Sequence, residues 1–221
     1  MNKIKLLAAT LALTAIAPLV SAEVSVTGTL TSDYVFRGVS QTDSSPAIQA
    51  SLDYEHESGF FAGVWASNVD FEDDANAEID FYAGYFGEIN DTFSYDVMYN
   101  YYTYQGYSSA DDSDYGELLF NAYINSFTLG LGYASDYVNT GDSAQYISAA
   151  YDIELPQEYA LTLQAGYTAG DAFDDAEYVD YSATVAKTFY DFDFTAAVIN
   201  TDIDNDDNSD FRFVLAVSRT F

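Results

Sequence analysis

The chain has 221 residues, with 36 acidic against six basic side chains, a formal net charge of −30 and no cysteine. That balance excludes nucleic acid and anionic lipid surfaces as electrostatic partners, and the missing cysteine excludes disulfide and thiolate–metal frameworks. Twenty-one tyrosines, 16 phenylalanines and one tryptophan exclude a disordered polyanion, because so much aromatic surface must leave water somewhere.

Residues 1–22, MNKIKLLAATLALTAIAPLVSA, open with Lys3 and Lys5, run apolar from about Ile4 to Ala17, and finish on Val20, Ser21 and Ala22. This is the layout of a secretory signal peptide cut after Ala22, and the apolar run falls short of the ~20 residues of a membrane-spanning helix. The expected mature domain is 23–221, whose only basic residues are Arg37, Lys187, Arg212 and Arg219.

From there the dominant period is two. Twelve segments read as strands: 24–37, 46–56, 59–68, 77–88, 92–104, 115–125, 127–137, 144–154, 158–168, 177–188, 190–201 and 210–221. In 127–137, Phe127, Leu129, Leu131 and Tyr133 alternate with Thr128, Gly130, Gly132 and Ala134. In 158–168, Tyr159, Leu161, Leu163, Ala165 and Tyr167 do the same against small or polar residues. Phe192, Phe194, Ala196 and Val198 share one face, and Phe211, Phe213, Leu215 and Val217 oppose Arg212, Val214, Ala216 and Ser218. Most segments exceed the usual ~5–6 residues of soluble strands and match the ~9–11 of a tilted membrane strand.

The connections alternate between two kinds. HESG, EIND, NS, LPQE and FYD are tight turns, whereas GVSQTDSS, VDFEDDANAE, QGYSSADDSD, VNTGDS, GDAFDDAE and DIDNDDNSD are longer and mostly acidic. Short turns on one rim and long loops on the other predict an all-β chain: a single transmembrane antiparallel up-and-down β-barrel of about 12 strands, its last strand closing against its first. A secreted β-sandwich or a lipocalin-like soluble barrel shares the alternation, since small polar residues suit a solvent face as well as a water-filled lumen. Strand length, loop asymmetry and aromatic load favour the membrane.

The stretch SDYVFRGVSQTDSSPAIQASLDYEHESGFFAGVWASNVDF, residues 32–71, resembles the TorF family of proteobacterial porin-like proteins. Ser32, Asp33, Tyr34, Arg37, Gly38, Ser40, Gln41 and Thr42 fit its first block, and Pro46–Gln49 and Ser58–Asn68 fit the next two. The resemblance implies an outer-membrane barrel and a channel, with little about the solute. Phe221 is similar to the aromatic assembly signal of outer-membrane barrels. Arg219 departs from that pattern where an apolar residue would continue the lipid face, although near the rim its guanidinium can snorkel to headgroups.

Catalytic chemistry finds no footing. His56, the one histidine, lies at a predicted short turn, and no nucleophile-elbow, zinc-helix or phosphate-loop motif occurs, so the chain reads as a non-enzyme without cofactors. Asp202, Asp204 and Asp206 match the first three ligands of an EF-hand loop, but Asp207 replaces its glycine and Phe213 its bidentate glutamate. They are kept as weak divalent-cation candidates within a solvated loop.

The lumen is the more informative site. Alternation points Asp33, Arg37, Asp53, Asp80, Asp96, Glu117, Asp152, Asp180, Asp193 and Arg212 inward as pore-lining candidates. Asp33 and Arg37, four apart, are either a structural pair on one strand or a contact for solute. Acid rings favour cations, and barrel diameter grows with strand number, so the expected function is a narrow passive channel for small polar solutes or ions, cation-preferring. The alternative is a non-conducting structural or surface-interaction barrel. Expected partners are the lipid bilayer, lipopolysaccharide and the outer-membrane assembly machinery. Arginine at Leu131 should be damaging, and serine at Gly130 or Gly132 mild.

Overall fold

The computed structural model describes residues 23–107 and 113–221, so the export-signal expectation for 1–22 lies outside the described residues. The strands are β1 (Glu23–Thr31), β2 (Val35–Phe36), β3 (Val39–Ser40), β4 (Ala47–Glu55), β5 (Phe60–Asn68), β6 (Ala77–Asn90) and β7 (Phe93–Gln105). They continue as β8 (Tyr115–Ile124), β9 (Phe127–Ala134), β10 (Ala144–Leu155), β11 (Tyr159–Ala169), β12 (Tyr178–Phe189), β13 (Phe192–Thr201) and β14 (Arg212–Thr220). All but β2 and β3 form one closed barrel of antiparallel neighbours, in which β1 pairs with both β4 and β14. The twelve-strand expectation therefore holds.

Period two becomes a two-faced wall. Leu131 and Leu163 keep 51% and 44% of their surface exposed on the outside, whereas Asp80, Asp96, Asn100 and Glu117 keep none on the inside. A water-soluble protein is built the other way round, since desolvating apolar surface is what drives its folding. Exposed aromatic residues gather at the two ends of this belt. Phe60, Phe127, Tyr159, Phe189, Phe192 and Phe221 mark the short-turn end, and Tyr133, Tyr167, Tyr181, Phe211 and Phe213 the loop end. Two aromatic girdles around an apolar band are the signature of a membrane barrel.

The turns follow local backbone rules. Tyr190 and Asp191, the two residues between β12 and β13, both take positive φ (49° and 62°), the type I′ geometry whose twist matches antiparallel strands. Such turns leave no chain to cover the short-turn rim. The longer loops instead build an apolar core inside the opposite mouth, around Tyr34, Ala47, Val69 and Ala75 on one side and Tyr102, Tyr115, Ala134 and Ala144 on the other.

One predicted strand is wrong in a revealing way. The segment 24–37 stays in the wall only to Thr31. After Asp33 the chain turns inward, and β2 and β3 form a minimal hairpin with Val35 opposite Ser40 and Phe36 opposite Val39. At its tip Arg37 and Gly38 take positive φ of 48° and 85°, a reversal that no strand contains. The first long loop is thus folded into the lumen.

Candidate functional site

The hairpin tip crosses the barrel. Arg37, only 5% exposed, points its Nη2 at Glu117 of β8, 2.7 Å from Oε1 and 2.8 Å from Oε2. Its guanidinium lies 4.6 Å from the centroid of Phe36 and 4.3 Å from that of Tyr146 on β10. Burial alone would lower the pKa of Arg37, but the Glu117 carboxylate more than reverses this, and the net shift is upward. Gly38 packs against β12 and β13: a Cβ there would come 2.5 Å from Thr201 Cγ2 and 2.8 Å from Asp180 Cβ. Its positive φ and this close approach both demand glycine.

The base of the hairpin is fastened at several points. Asp33 accepts from Arg212 Nη1 through Oδ2 at 2.7 Å, and from Ser40 Oγ through Oδ1 at 2.7 Å. Arg212 also donates from Nη2 to the Asp207 carbonyl. The Ser40 N–H donates to the Asn208 carbonyl of the last loop, and the Asp70 N–H of the second loop donates to the Gln41 carbonyl. Tyr34 stands edge-on to Trp65 at 5.2 Å between centroids. The residues that carry the family resemblance, Asp33, Tyr34, Arg37, Gly38, Ser40 and Gln41, are the ones that set this loop inside the barrel.

Asp33 and Arg37 do not pair with each other, contrary to one expectation. The chain bends between them, and each takes a partner from a distant strand. The other inward acids are paired with neutral donors. Asp53 accepts from Tyr82 and, at 2.6 Å, from Ser51; Asp80 accepts from Asn100 at 2.9 Å; Asp96 accepts from Tyr123 at 2.6 Å. Asp152 accepts from Thr162 at 2.7 Å, Asp180 from Tyr146 at 3.2 Å and Asp193 from Thr188 at 2.5 Å. Asp53, Asp152 and Asp193 remain partly exposed, but the Asp80, Asp96 and Glu117 side of the wall is sealed from water.

Sequence reasoning missed Glu78, which is 2% exposed beside Asp80. The same alternation that named Asp80 points it inward. It also missed the tyrosines that serve the acids, because an inward tyrosine and a lipid-facing one look alike in a list of aromatic residues.

The divalent candidates lie at the rim of the loop end. Asp202 Oδ1 accepts from the Val179 N–H at 2.7 Å and so ties the loop to β12, Asp206 Oδ2 accepts from Ser209 Oγ at 2.5 Å within the loop, and Asp204 is exposed. Among the described residues no group of three or more His, Cys, Asp or Glu side chains could hold a metal ion. His56 sits at a short turn, its Nδ1 2.7 Å from Ser58 Oγ.

Comparison with solved structures places the fold. The chain is similar to the KdgM porin, with 12% identity over 89% of this chain and 99% of the other and a TM-score of 0.58. It is also similar to the KdgM porin in complex with disordered oligogalacturonate (10% identity, 90% and 99% covered, TM-score 0.59) and to the NanC porin (9% identity, 90% and 98% covered, TM-score 0.54). At these identities the likeness is one of architecture: a closed barrel of the porin type. Among curated proteins none matches. The model of a family described as bacterial protein of unknown function (Gcw_chp) matches residues 15–221, and the chain belongs to that family.

Proposed function

We propose that this protein is an outer-membrane channel of the porin type, passive and narrow, whose constriction is the inward hairpin of the first loop. The observation that carries the reading is the pairing of an apolar, aromatic-girdled outside with an ionisable inside, which fits a wall between lipid and a polar path. The KdgM and NanC likenesses and the TorF resemblance of residues 32–71 support it. Export by residues 1–22 and closure through the Phe221 signal belong to the same reading, with lipopolysaccharide around the acidic loops.

The preferred solutes are cations. Arg37 and Arg212 are each committed to a carboxylate, so among the described residues no ion pair holds the remaining lumenal acids. One structural neighbour is in complex with oligogalacturonate, a polyanion; the acid-lined lumen here is unsuited to such a solute. The carboxylates of the last loop, Asp202 and Asp204 among them, would add to the cation field at the mouth as solvated charges.

A second reading has its own support. The sealed acids behind a hairpin with two buried ion pairs fit a non-conducting structural barrel. Purified protein in a planar bilayer decides between the two. The channel reading expects small steps and a cation-positive reversal potential in a salt gradient; silence from protein shown folded by its heat-dependent gel mobility selects the structural barrel.

A further inference from the structure

The loop end of the barrel holds an open cavity of about 520 Å³ beside the hairpin. Aromatic rings run along it in an unbroken arc. Phe36 is 6.0 Å from Tyr102, which stacks on Tyr115 at 4.5 Å, and Tyr115 meets Tyr137 at 5.0 Å. Tyr137 meets Phe173 at 5.2 Å, and Phe173 meets Tyr178 at 6.0 Å. The rings come from the hairpin, from β7, β8 and β12, and from the 3₁₀ turns Tyr137–Asn139 and Asp171–Phe173. Part of this arc is ordinary core, since Tyr102 and Tyr115 are 1% and 3% exposed. Phe36, Tyr137 and Phe173 are half-buried and face the open cavity, and the buried Tyr178 stands in its wall.

Beside the rings the cavity is also lined by carboxylates, among them the exposed Glu177 and Asp204. Among the described residues no lysine or arginine lines it. Beyond residue 22 the chain has four basic side chains: Arg37 and Arg212 are held in buried ion pairs, and Lys187 and Arg219 lie at the short-turn end of β12 and β14. Burial pushes the Tyr137 phenol up to about 12, so it faces the cavity as a neutral ring and a hydroxyl.

Ring faces carry negative quadrupole charge, and beside carboxylates they favour a cation with apolar surface over a bare hydrated ion. The lumen holds its own example in Arg37, sandwiched by Phe36 and Tyr146. The volume falls within the ~300–1,000 Å³ of small-molecule sites. We infer that this cavity binds small organic cations, alkylammonium or guanidinium compounds, and gathers them ahead of the constriction. The gathering role rests on the channel reading; the binding itself does not.

The test uses the full barrel, folded in detergent micelles, with choline as the probe in isothermal titration and glucose, galacturonate and sodium as controls. Choline should bind saturably, and the three controls should not displace it. Tyr137→Leu should weaken binding about tenfold, the loss of one cation–π face, and Tyr137→Phe should not. Because Tyr137→Leu can disturb the loops, a second variant changes exposed residues only: Glu177→Gln with Asp204→Asn should weaken choline about threefold with unchanged heat-dependent mobility. Absence of saturable binding, equal binding in these variants, or preferential binding of glucose would overturn the inference. Protein that binds choline without conducting would sink the channel and keep this site; protein that conducts without binding choline would sink this site alone.

Discussion

Arg37 and Glu117 stand eighty residues apart in sequence, yet their side chains meet inside the barrel with both charges almost wholly out of water. A buried pair of this kind is poorly tolerant of losing one member, because the survivor keeps its desolvation penalty.

The first prediction follows from that asymmetry. Arg37→Ala should lower stability by about 3–5 kcal/mol and raise single-channel conductance, because Glu117 is left unpaired and the hairpin tip loses its anchor. Arg37→Ala with Glu117→Gln should recover most of the stability while keeping the larger conductance. Urea midpoints in lipid vesicles and bilayer recordings read the two effects separately. A hairpin whose anchor can be removed with neither quantity changing is no constriction.

The second prediction concerns the wall. Leu131→Arg should cost about 2–4 kcal/mol, as expected for a charge on the lipid face near the middle of the bilayer. Serine at Gly130 should be mild, since the Ser148 hydroxyl it approaches can rotate away. Gly132→Ser should not be mild, contrary to the expectation from alternation alone. Its Cβ would lie 2.7 Å from Glu117 Oε1 and 3.1 Å from Arg37 Nη2, groups fixed by each other, and overpacking of this kind costs about 1–3 kcal/mol. Equal tolerance at 130 and 132 would mean the hairpin does not dock there.

The pattern of these outcomes shows what one chain of letters can disclose. The wall was legible because membrane strands repeat a two-residue rule without interruption, and the acidic loops punctuate it. The hairpin was not, because the alternation that marks β1 runs on past Thr31 through Tyr34 and Phe36. Arg37 looks like a lumenal strand residue on that pattern; it does lie in the lumen, but on a loop. Its partner Glu117 could not be read from spacing, since the contact depends on how far a loop bends back across a closed sheet.

The third prediction separates wetted from sealed acids. Asp53, Asp152 and Asp193 keep contact with water, whereas Asp96 has none. Changing Asp53 and Asp193 to Asn should therefore reduce cation selectivity more than changing Asp96 to Asn. The preference itself should fade as salt rises, because screening acts over ~10 Å at 0.1 M. Reversal potentials at two ionic strengths report both; a larger effect from Asp96 would place the ion path along the β6–β8 wall.

The fourth prediction concerns assembly. The Phe221 N–H donates to the Val26 carbonyl at 2.9 Å, and the Val26 N–H to the Phe221 carbonyl at 3.2 Å, so this residue both ends the ladder and offers its ring to the rim. Deleting it should lower the amount of barrel recovered in outer membranes at native expression while leaving export intact. Undiminished recovery would remove Phe221 from the assembly reading.

The meeting of β1 and β14 has five paired positions, Thr27 to Thr31 against Thr220 to Ala216, the shortest ladder in the wall. Its loop end is continued by the first loop itself. The Ser32 N–H donates to the Leu215 carbonyl, the Leu215 N–H donates to Ser32 Oγ, and the Asp33–Arg212 pair lies just beyond. The seam and the foot of the hairpin are thus a single clasp. Until β14 arrives, Asp33 has no arginine and Ser40 has no Asn208 carbonyl, so the foot of the hairpin lacks half its fastenings and leans on the Glu117, Gln41–Asp70 and Trp65 contacts. Closing the hoop and bolting the hairpin's foot are therefore one event, made by the same few residues.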